Sequence, residues 1–240
     1  MGRSRLLLVH GWGADRRSWD DIAELVAPWA DVLAPDLAGH GEAPAASGLT
    51  IDQLADDLAE LVADGGPVVA VGHSMGGQVV VSLAARYPEL VQAIVVIDPA
   101  YGADEAEIAH SPDVLADLRR RGTEAGVEFV DRALAGNALH EEVRAQMSRT
   151  PGSVLADLFE SMYLAPGSIG ARAATRAFQP RLTQPCLSLY STESAADFAR
   201  SLTWPAGSAI EVWPGATHYL HQQYPRRFAE LLRRQRLAER

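Results

Sequence analysis

Six short apolar runs, separated by amphipathic stretches, constrain this chain more than any other feature. Leu6 to Val9, Val32 to Pro35, Val68 to Gly72 and Ala93 to Ile97 come first, and Cys186 to Tyr190 and Ile210 to Trp213 follow a long gap. None alternates strictly between apolar and polar residues, as expected of strands covered on both faces. Helical patterns with readable ends lie between them. Thr50 caps a stretch carrying Leu54, Leu58 and Leu61 that ends at Gly65-Gly66, and Met75 to Tyr87 is apolar nearly all round until Pro88. Pro225 to Arg236 sets Phe228, Leu231 and Leu232 on one face with arginines opposite. Strand alternating with helix in this way predicts an α/β fold built on a doubly wound, mostly parallel sheet. With 240 residues, 48% of them hydrophobic, the chain suits one large core better than two.

The stretch from Tyr101 to Pro180 breaks the alternation. It contains no convincing strand but several short helices, one opened by Ser111-Pro112 and closed by Gly122, the next opened by Thr123 and closed by Gly136. A segment of that size is not a loop. The expected organisation is therefore a core of residues 1–100 and 181–240, with residues 101–180 inserted as a helical cap over one end of the sheet.

Charge and composition exclude several functions. A net charge of -10 argues against a nucleic-acid partner, which needs a basic face. All the basic residues are arginine, so Schiff-base chemistry and a lysine base are excluded. With Cys186 the only cysteine there is neither an intramolecular disulfide nor a Cys-rich zinc site. The opening MGRSRLLLVHGWG has an apolar run too short for a signal-peptide core or a membrane span. The expectation is a cytoplasmic monomer or homodimer that acts on a small molecule, with no metal, no cofactor and no membrane partner.

The strongest chemical signal is Val68-Val69-Ala70-Val71-Gly72-His73-Ser74-Met75-Gly76-Gly77, an apolar strand running into G-x-S-x-G and then a buried helix. A serine hydroxyl is a weak nucleophile unless it is exposed, aimed and given a base. A sharp strand-to-helix turn aims it, and the N–H of Met75 at the helix N-terminus then faces a developing oxyanion.

This stretch resembles the nucleophile elbow of the α/β-hydrolase superfamily, and three further segments match that family in order. His10-Gly11-Trp12-Gly13 resembles the HG-x oxyanion loop, which implies the Trp12 N–H as the second donor beside that of Met75. Asp36-Leu37-Ala38-Gly39-His40-Gly41 resembles the D-x-x-G-x-G turn. Gly215-Ala216-Thr217-His218 resembles the loop that bears the catalytic histidine. The likeness covers the whole chain except the cap. Since the sequence starts at the strand before the HG loop, the expectation is a fold without the antiparallel edge hairpin of larger members. A serine at the elbow argues against dehalogenase and epoxide-hydrolase relatives, which use aspartate there.

Seven histidines compete for the role of base. His10, His40 and His73 sit inside motifs, and His110 and His140 lie in the cap. His218 follows the last strand directly, whereas His221 comes one helical turn later and is expected to pack or cap. The order nucleophile, acid, base therefore implies His218. The acid stays open among three candidates. The turn after the penultimate strand reads Tyr190-Ser191-Thr192-Glu193-Ser194, with serine where the family's aspartate belongs, so Glu193 or Asp197 would have to be recruited. A minority of the family places the acid one strand earlier, which here is Asp98, 24 residues after Ser74.

The resemblance implies a serine hydrolase that cleaves a carboxylic ester, thioester or lactone of a small, largely apolar substrate through an acyl-enzyme on Ser74. Trp12, Met75, Tyr101, Phe129, Met147, Phe159, Met162 and Tyr163 are candidate lining residues, foremost Trp12, Tyr101, Phe129 and Met162. Two alternatives share the pocket: hydrolysis of a C–C bond or a lyase or cyclase step, and a ligand-binding protein without turnover.

Overall fold

The computed structural model describes residues 3–44 and 46–238. Strands β1 (Ser4–Val9), β2 (Ala30–Leu33), β3 (Val68–His73), β4 (Val91–Ile97), β5 (Cys186–Tyr190) and β6 (Ala209–Val212) form one sheet in the order β2-β1-β3-β4-β5-β6. Every strand pair in it is parallel. The chain steps from β1 outward to β2 and then returns to β3 on the other side. That reversal between β1 and β3 is the switch point at which doubly wound sheets bind ligands.

Register brings the site to one edge. Val9 pairs with Gly72, His73 with Ile97, Ile97 with Leu189 and Tyr190 with Val212, so five strands end together. The residues that leave those ends are His10, Ser74, Asp98, Ser191 and Trp213.

Alternate residues of each strand feed two cores. Leu7, Val9, Ala70, Ile94 and Val96 pack with helices α2 (Ile51–Val62) and α3 (Met75–Arg86). Leu6, Leu8, Val69, Val71 and Val95 pack on the other face with α1 (Asp20–Val26) and α11 (Pro225–Ala238). The cap of α2 is a full capping box, Thr50 with Gln53, which satisfies two of the amide donors a helix start leaves over. Phe228, Leu231 and Leu232 of α11 are buried as the apolar stripe requires, while the side chain of Arg236 lies outside the described residues.

Five helices fill the chain between β4 and β5: α4 (Glu105–Arg121), α5 (Thr123–Ala133), α6 (His140–Arg149), α7 (Gly152–Tyr163) and α8 (Arg172–Phe178). Leu115, Leu118, Val130, Leu134, Val143 and Met147 form a small apolar cluster among them. Helix α7 joins both layers, since Leu155 belongs to that cluster and Val154, Leu158 and Met162 to the core beneath. The last third of the sheet carries α9 (Glu193–Arg200) and α10 (Leu220–Gln223).

One expected boundary is wrong. Ser111-Pro112 does not open a helix but lies inside α4, which begins seven residues earlier at the capping box of Asp104 and Glu107. Proline removes one amide donor from the helix, and the Ser111 hydroxyl folds back onto the Glu107 carbonyl at 3.0 Å. The acidic pair three residues apart was the stronger start signal.

Candidate active site

Ser74 sits between β3 and α3 with φ 51° and ψ −116°, a conformation a non-glycine residue adopts only when its surroundings impose it. The surroundings do so through hydrogen bonds and close packing. The Ser74 N–H donates to Ile97 and its carbonyl accepts from Gly77 and Ala100, at 2.9, 2.9 and 3.0 Å. A Cβ on Gly72 would strike the Gly76 carbonyl, and one on Gly76 would strike the carbonyls of Val9 and His10. The start of α3 therefore rests directly on the end of β1, which brings the His10-Gly11-Trp12-Gly13 loop next to the elbow. Ser74 makes no capping hydrogen bond to α3.

Two buried histidines hold that loop. Nε2 of His10 accepts from the Leu37 N–H at 3.0 Å and its Nδ1–H faces the Gly11 carbonyl at 2.9 Å. Nε2 of His40 accepts from the Gly13 N–H at 3.4 Å, with Nδ1–H on the Ala38 carbonyl at 3.1 Å. Accepting at Nε2 requires both rings to be neutral. Burial lowers the pKa of His10, and burial together with the neighbouring His10 pushes His40 down to about 3. The Trp12 indole N–H then ties the loop to α7 through the Leu155 carbonyl at 3.0 Å.

Asp98 leaves β4 with φ 39° and its N–H on the Leu189 carbonyl at 2.8 Å. Its carboxylate accepts from the Ser191 N–H at 2.8 Å and the Ser191 hydroxyl at 2.5 Å, and Oδ2 lies 3.4 Å from Nδ1 of His218. Glu193 lies elsewhere: it occupies the exposed first turn of α9 and pairs with Arg200 at 2.8 Å, as does Asp197.

The histidine loop is clamped from both sides of His218. Gln223 accepts from the Thr217 N–H at 2.8 Å, and Thr217 accepts from the Tyr219 N–H at 3.2 Å. The third hold is His73, whose Nε2–H donates to the His218 carbonyl at 3.0 Å. The His73 ring stacks obliquely on those of His218, His221 and Tyr219, with centroids 4.7, 4.5 and 5.2 Å apart. Burial, then the nearby His221 and His218, holds His73 well below the usual histidine range. His221 is wholly buried against Trp19 and Phe228, and among the described residues neither ring nitrogen has a hydrogen-bond partner. The roles of Ser191 and His40 escaped the sequence reading, as did the hydrogen bond through which His73, expected to be structural, holds His218. The serine in the usual acid turn and the histidine inside the D-x-x-G-x-G turn were the available signals.

Two cavities meet at Ser74 and His218, one of about 440 Å³ and one of about 410 Å³. Trp12, Phe129, Phe159, Met162 and Tyr163 line the first; Tyr101, Phe129 and Tyr163 line the second. Two candidates fall outside both. Met75 and Met147 are buried at 0% and 1% exposure, the first in the core under α3 and the second among the inserted helices. The Tyr101 hydroxyl is buried without a hydrogen-bond partner, and burial beside Tyr190 raises its pKa well above the usual value. His110 is exposed at the rim of the first cavity, and His140 pairs with Asp131 at 2.8 Å.

A serine on a strained elbow shares two cavities with a histidine from the loop after β6, and that histidine lies 3.4 Å from an aspartate at the end of β4. The sequence matches the model of the alpha/beta hydrolase family over residues 6–231, and the chain belongs to that family. It is 38% identical over 139 residues to lipase LipV of Mycobacterium tuberculosis, a match that spans 54% of this chain and about half, 53%, of that protein. It is 28% identical over 241 residues to the pimeloyl-(acyl-carrier protein) methyl ester esterase of Citrobacter koseri, covering 96% and 93% of the two chains. Among solved structures it superposes on a thermophilic esterase from Thermogutta terrifontis with a TM-score of 0.81 and 26% identity, over 98% of this chain and 90% of that one.

Proposed function

We propose that the chain is a serine hydrolase of carboxylic esters, with Ser74 as nucleophile, His218 as base and Asp98 as the carboxylate that orients it. The observation that carries this reading is the Asp98 carboxylate 3.4 Å from Nδ1 of His218, at a histidine that shares both cavities with Ser74. The names of the relatives, a lipase and two esterases, agree with it.

The chemistry follows from the geometry. Asp98 holds the proton of His218 on Nδ1, which leaves Nε2 free to take the Ser74 proton as Oγ attacks the ester carbon. The carbonyl oxygen becomes an oxyanion received by the backbone N–H groups of Trp12 and Met75, the second at the N-terminus of α3. The intermediate collapses, His218 gives its proton to the departing alcohol, and the acyl group stays on Ser74. A water, deprotonated by His218, then releases the acid. The inserted helices act as a cap of residues 101–180 that walls the apolar cavity, suited to a small, largely apolar acyl group. Among the described residues no helix is long and apolar enough to cross a membrane.

Hydrolysis of p-nitrophenyl esters of increasing acyl length tests the reading. Ser74→Ala is expected to lower kcat by at least about 10⁴-fold, as loss of a triad nucleophile does. Equal turnover in the variant, or none in the folded wild type, overturns it. His73 gives a second expectation. His73→Phe keeps the ring packing and removes the donor to His218, so kcat should fall by about 10- to 100-fold with KM little changed, the scale of a misplaced reacting group. His73→Gln, which retains an N–H, should recover part of the loss in the same steady-state assay; unchanged kinetics in both would show that the hydrogen bond positions nothing.

A further inference from the structure

The two cavities that meet at Ser74 and His218 are nearly equal in size, and the first has the more apolar walls. Leu118, Ala125, Phe159 and Met162 wall it beside the charged Asp117, Arg121 and Glu128. Asp104, Glu107, Arg172, Thr192 and Ser194 wall the second, beside the Asp98–Ser191 pair. Phe129 and Tyr163 belong to both walls and so divide one from the other. An ester bound at Ser74 also has two parts, which leave the carbonyl carbon in different directions. From this match, and resting on the ester-hydrolase reading above, we infer that the substrates are esters of an apolar carboxylic acid with a neutral, hydroxyl-rich alcohol, the acyl group in the first cavity and the alcohol in the second.

Three arguments fix that orientation. The acyl group remains on the enzyme between the two half-reactions while the alcohol leaves and water replaces it. The cavity that admits water to His218 is therefore the alcohol's, and polar walls suit water better than apolar ones. An acyl chain gains from each methylene it buries, about fourfold in affinity, only where the walls are apolar. The rim of that cavity does not call for a charged chain end, because Arg121 and Arg132 are already paired with Glu128 at 2.6 and 2.7 Å.

The charges of the second cavity select the alcohol. Asp98, Asp104 and Glu107 face a single arginine there. Arg172 spends its Nε on the Gly102 carbonyl at 3.1 Å and lies over the Phe198 ring at 5.4 Å. A phosphate or carboxylate on the alcohol meets excess negative charge, whereas hydroxyl groups can donate to Oδ2 of Asp104 and Oε1 of Glu107, the oxygens that the capping box of α4 does not use. The serine and threonine hydroxyls of the rim add donors and acceptors of matching character.

Matched esters separate the two halves. In a pH-stat assay with the acyl group fixed as butyryl, the glyceryl ester should exceed the hexyl ester by about tenfold in kcat/KM, and a phosphate on the glycerol should lower it. With the leaving group fixed as p-nitrophenol, the hexanoyl ester should exceed the acetyl ester by about tenfold or more. Leu118→Trp, which fills the first cavity, should cut only the acyl ratio, and Ser194→Leu only the alcohol ratio. Phe129→Ala, which opens the partition, should weaken both, and this exposed position keeps the test alive if either cavity variant fails to fold. Hydrolysis that depends on Ser74 with no alcohol preference, or with the two variants acting on the opposite ratios, overturns this inference alone. Absence of Ser74-dependent hydrolysis for every ester overturns the ester reading with it.

Discussion

Asp98→Asn lowers kcat for ester hydrolysis by about 10⁴-fold, the loss a triad suffers when its carboxylate becomes an amide, while Glu193→Gln leaves it essentially unchanged. The backbone permits a clean test. Asp98 has φ 39°, in the left-handed region that asparagine tolerates and most residues do not, so the loop keeps its course. The hydrogen bonds do not survive equally. The carboxylate now accepts from the Ser191 N–H and the Ser191 hydroxyl, and its Oδ2 faces Nδ1 of His218 at 3.4 Å. An amide has one oxygen for these three groups, and its NH₂ group offers a proton where one must be accepted. If that NH₂ faces His218, the imidazole carries its proton on Nε2 and cannot take one from Ser74. Glu193 is exposed and paired with Arg200, remote from this exchange. Ester kinetics on both variants decide the matter: a large loss in Glu193→Gln with full activity in Asp98→Asn would remove Asp98 from the triad.

Lowering the pH from 7 to 5 destabilises the fold steeply. His10, His40, His73 and His221 are all buried and all held below the usual histidine range, chiefly by desolvation, His40 and His221 to about 3. A histidine whose pKa is lower in the folded than in the unfolded chain binds its proton first in the unfolded chain. The stability it protects is thus complete above pH 6.5 and lost as pH falls from there toward the folded value. Each such group adds a slope approaching about 1.4 kcal/mol per pH unit in that window, so four act on a stability of only about 5–15 kcal/mol. Asp56, Asp117 and Asp131 do not cause this, because each is held below the usual carboxylate range. Asp15, whose burial is more than offset by Arg17 and Arg149, loses its contribution below the usual carboxylate range. His221→Phe isolates one member. Among the described residues its ring nitrogens have no hydrogen-bond partner, and its ring packs on Trp19, His73 and Phe228, so phenylalanine fills the same slot between rings. Denaturant unfolding at pH 7, 6 and 5 should show the variant more stable at pH 5 and its pH slope reduced by about one histidine. Stability independent of pH across this range would show that the four rings are not buried neutral.

What local rules govern was legible in the sequence. Continuous apolar runs identify Val68–His73 and Cys186–Tyr190 as strands because covered strands need apolar residues on both faces. Gly72 and Gly76 around Ser74 mark the elbow because no other residue leaves room for the carbonyls of Gly76 and Val9. Thr50 with Gln53 marks a helix start because the box satisfies donors within four residues. Where two local signals competed, as at Asp104 and Ser111-Pro112, the stronger set of hydrogen bonds prevailed.

The tertiary structure decided everything that depends on which strand ends lie side by side. Sequence order left Asp98 and Glu193 as rivals; parallel register puts Asp98 beside Ser191 and His218, and α9 turns Glu193 out to Arg200. The hold of His73 on a carbonyl 145 residues away, and of His40 on the Gly13 N–H, comes from segments adjacent in space and not in sequence. The two cavities are likewise spaces between elements, visible to no local pattern. A chain of this kind encodes its turns and strands in neighbouring residues, because their hydrogen bonds and sterics are short-ranged. It encodes its chemistry only after folding, because a hydrogen bond across a sheet edge depends on where distant residues come to rest.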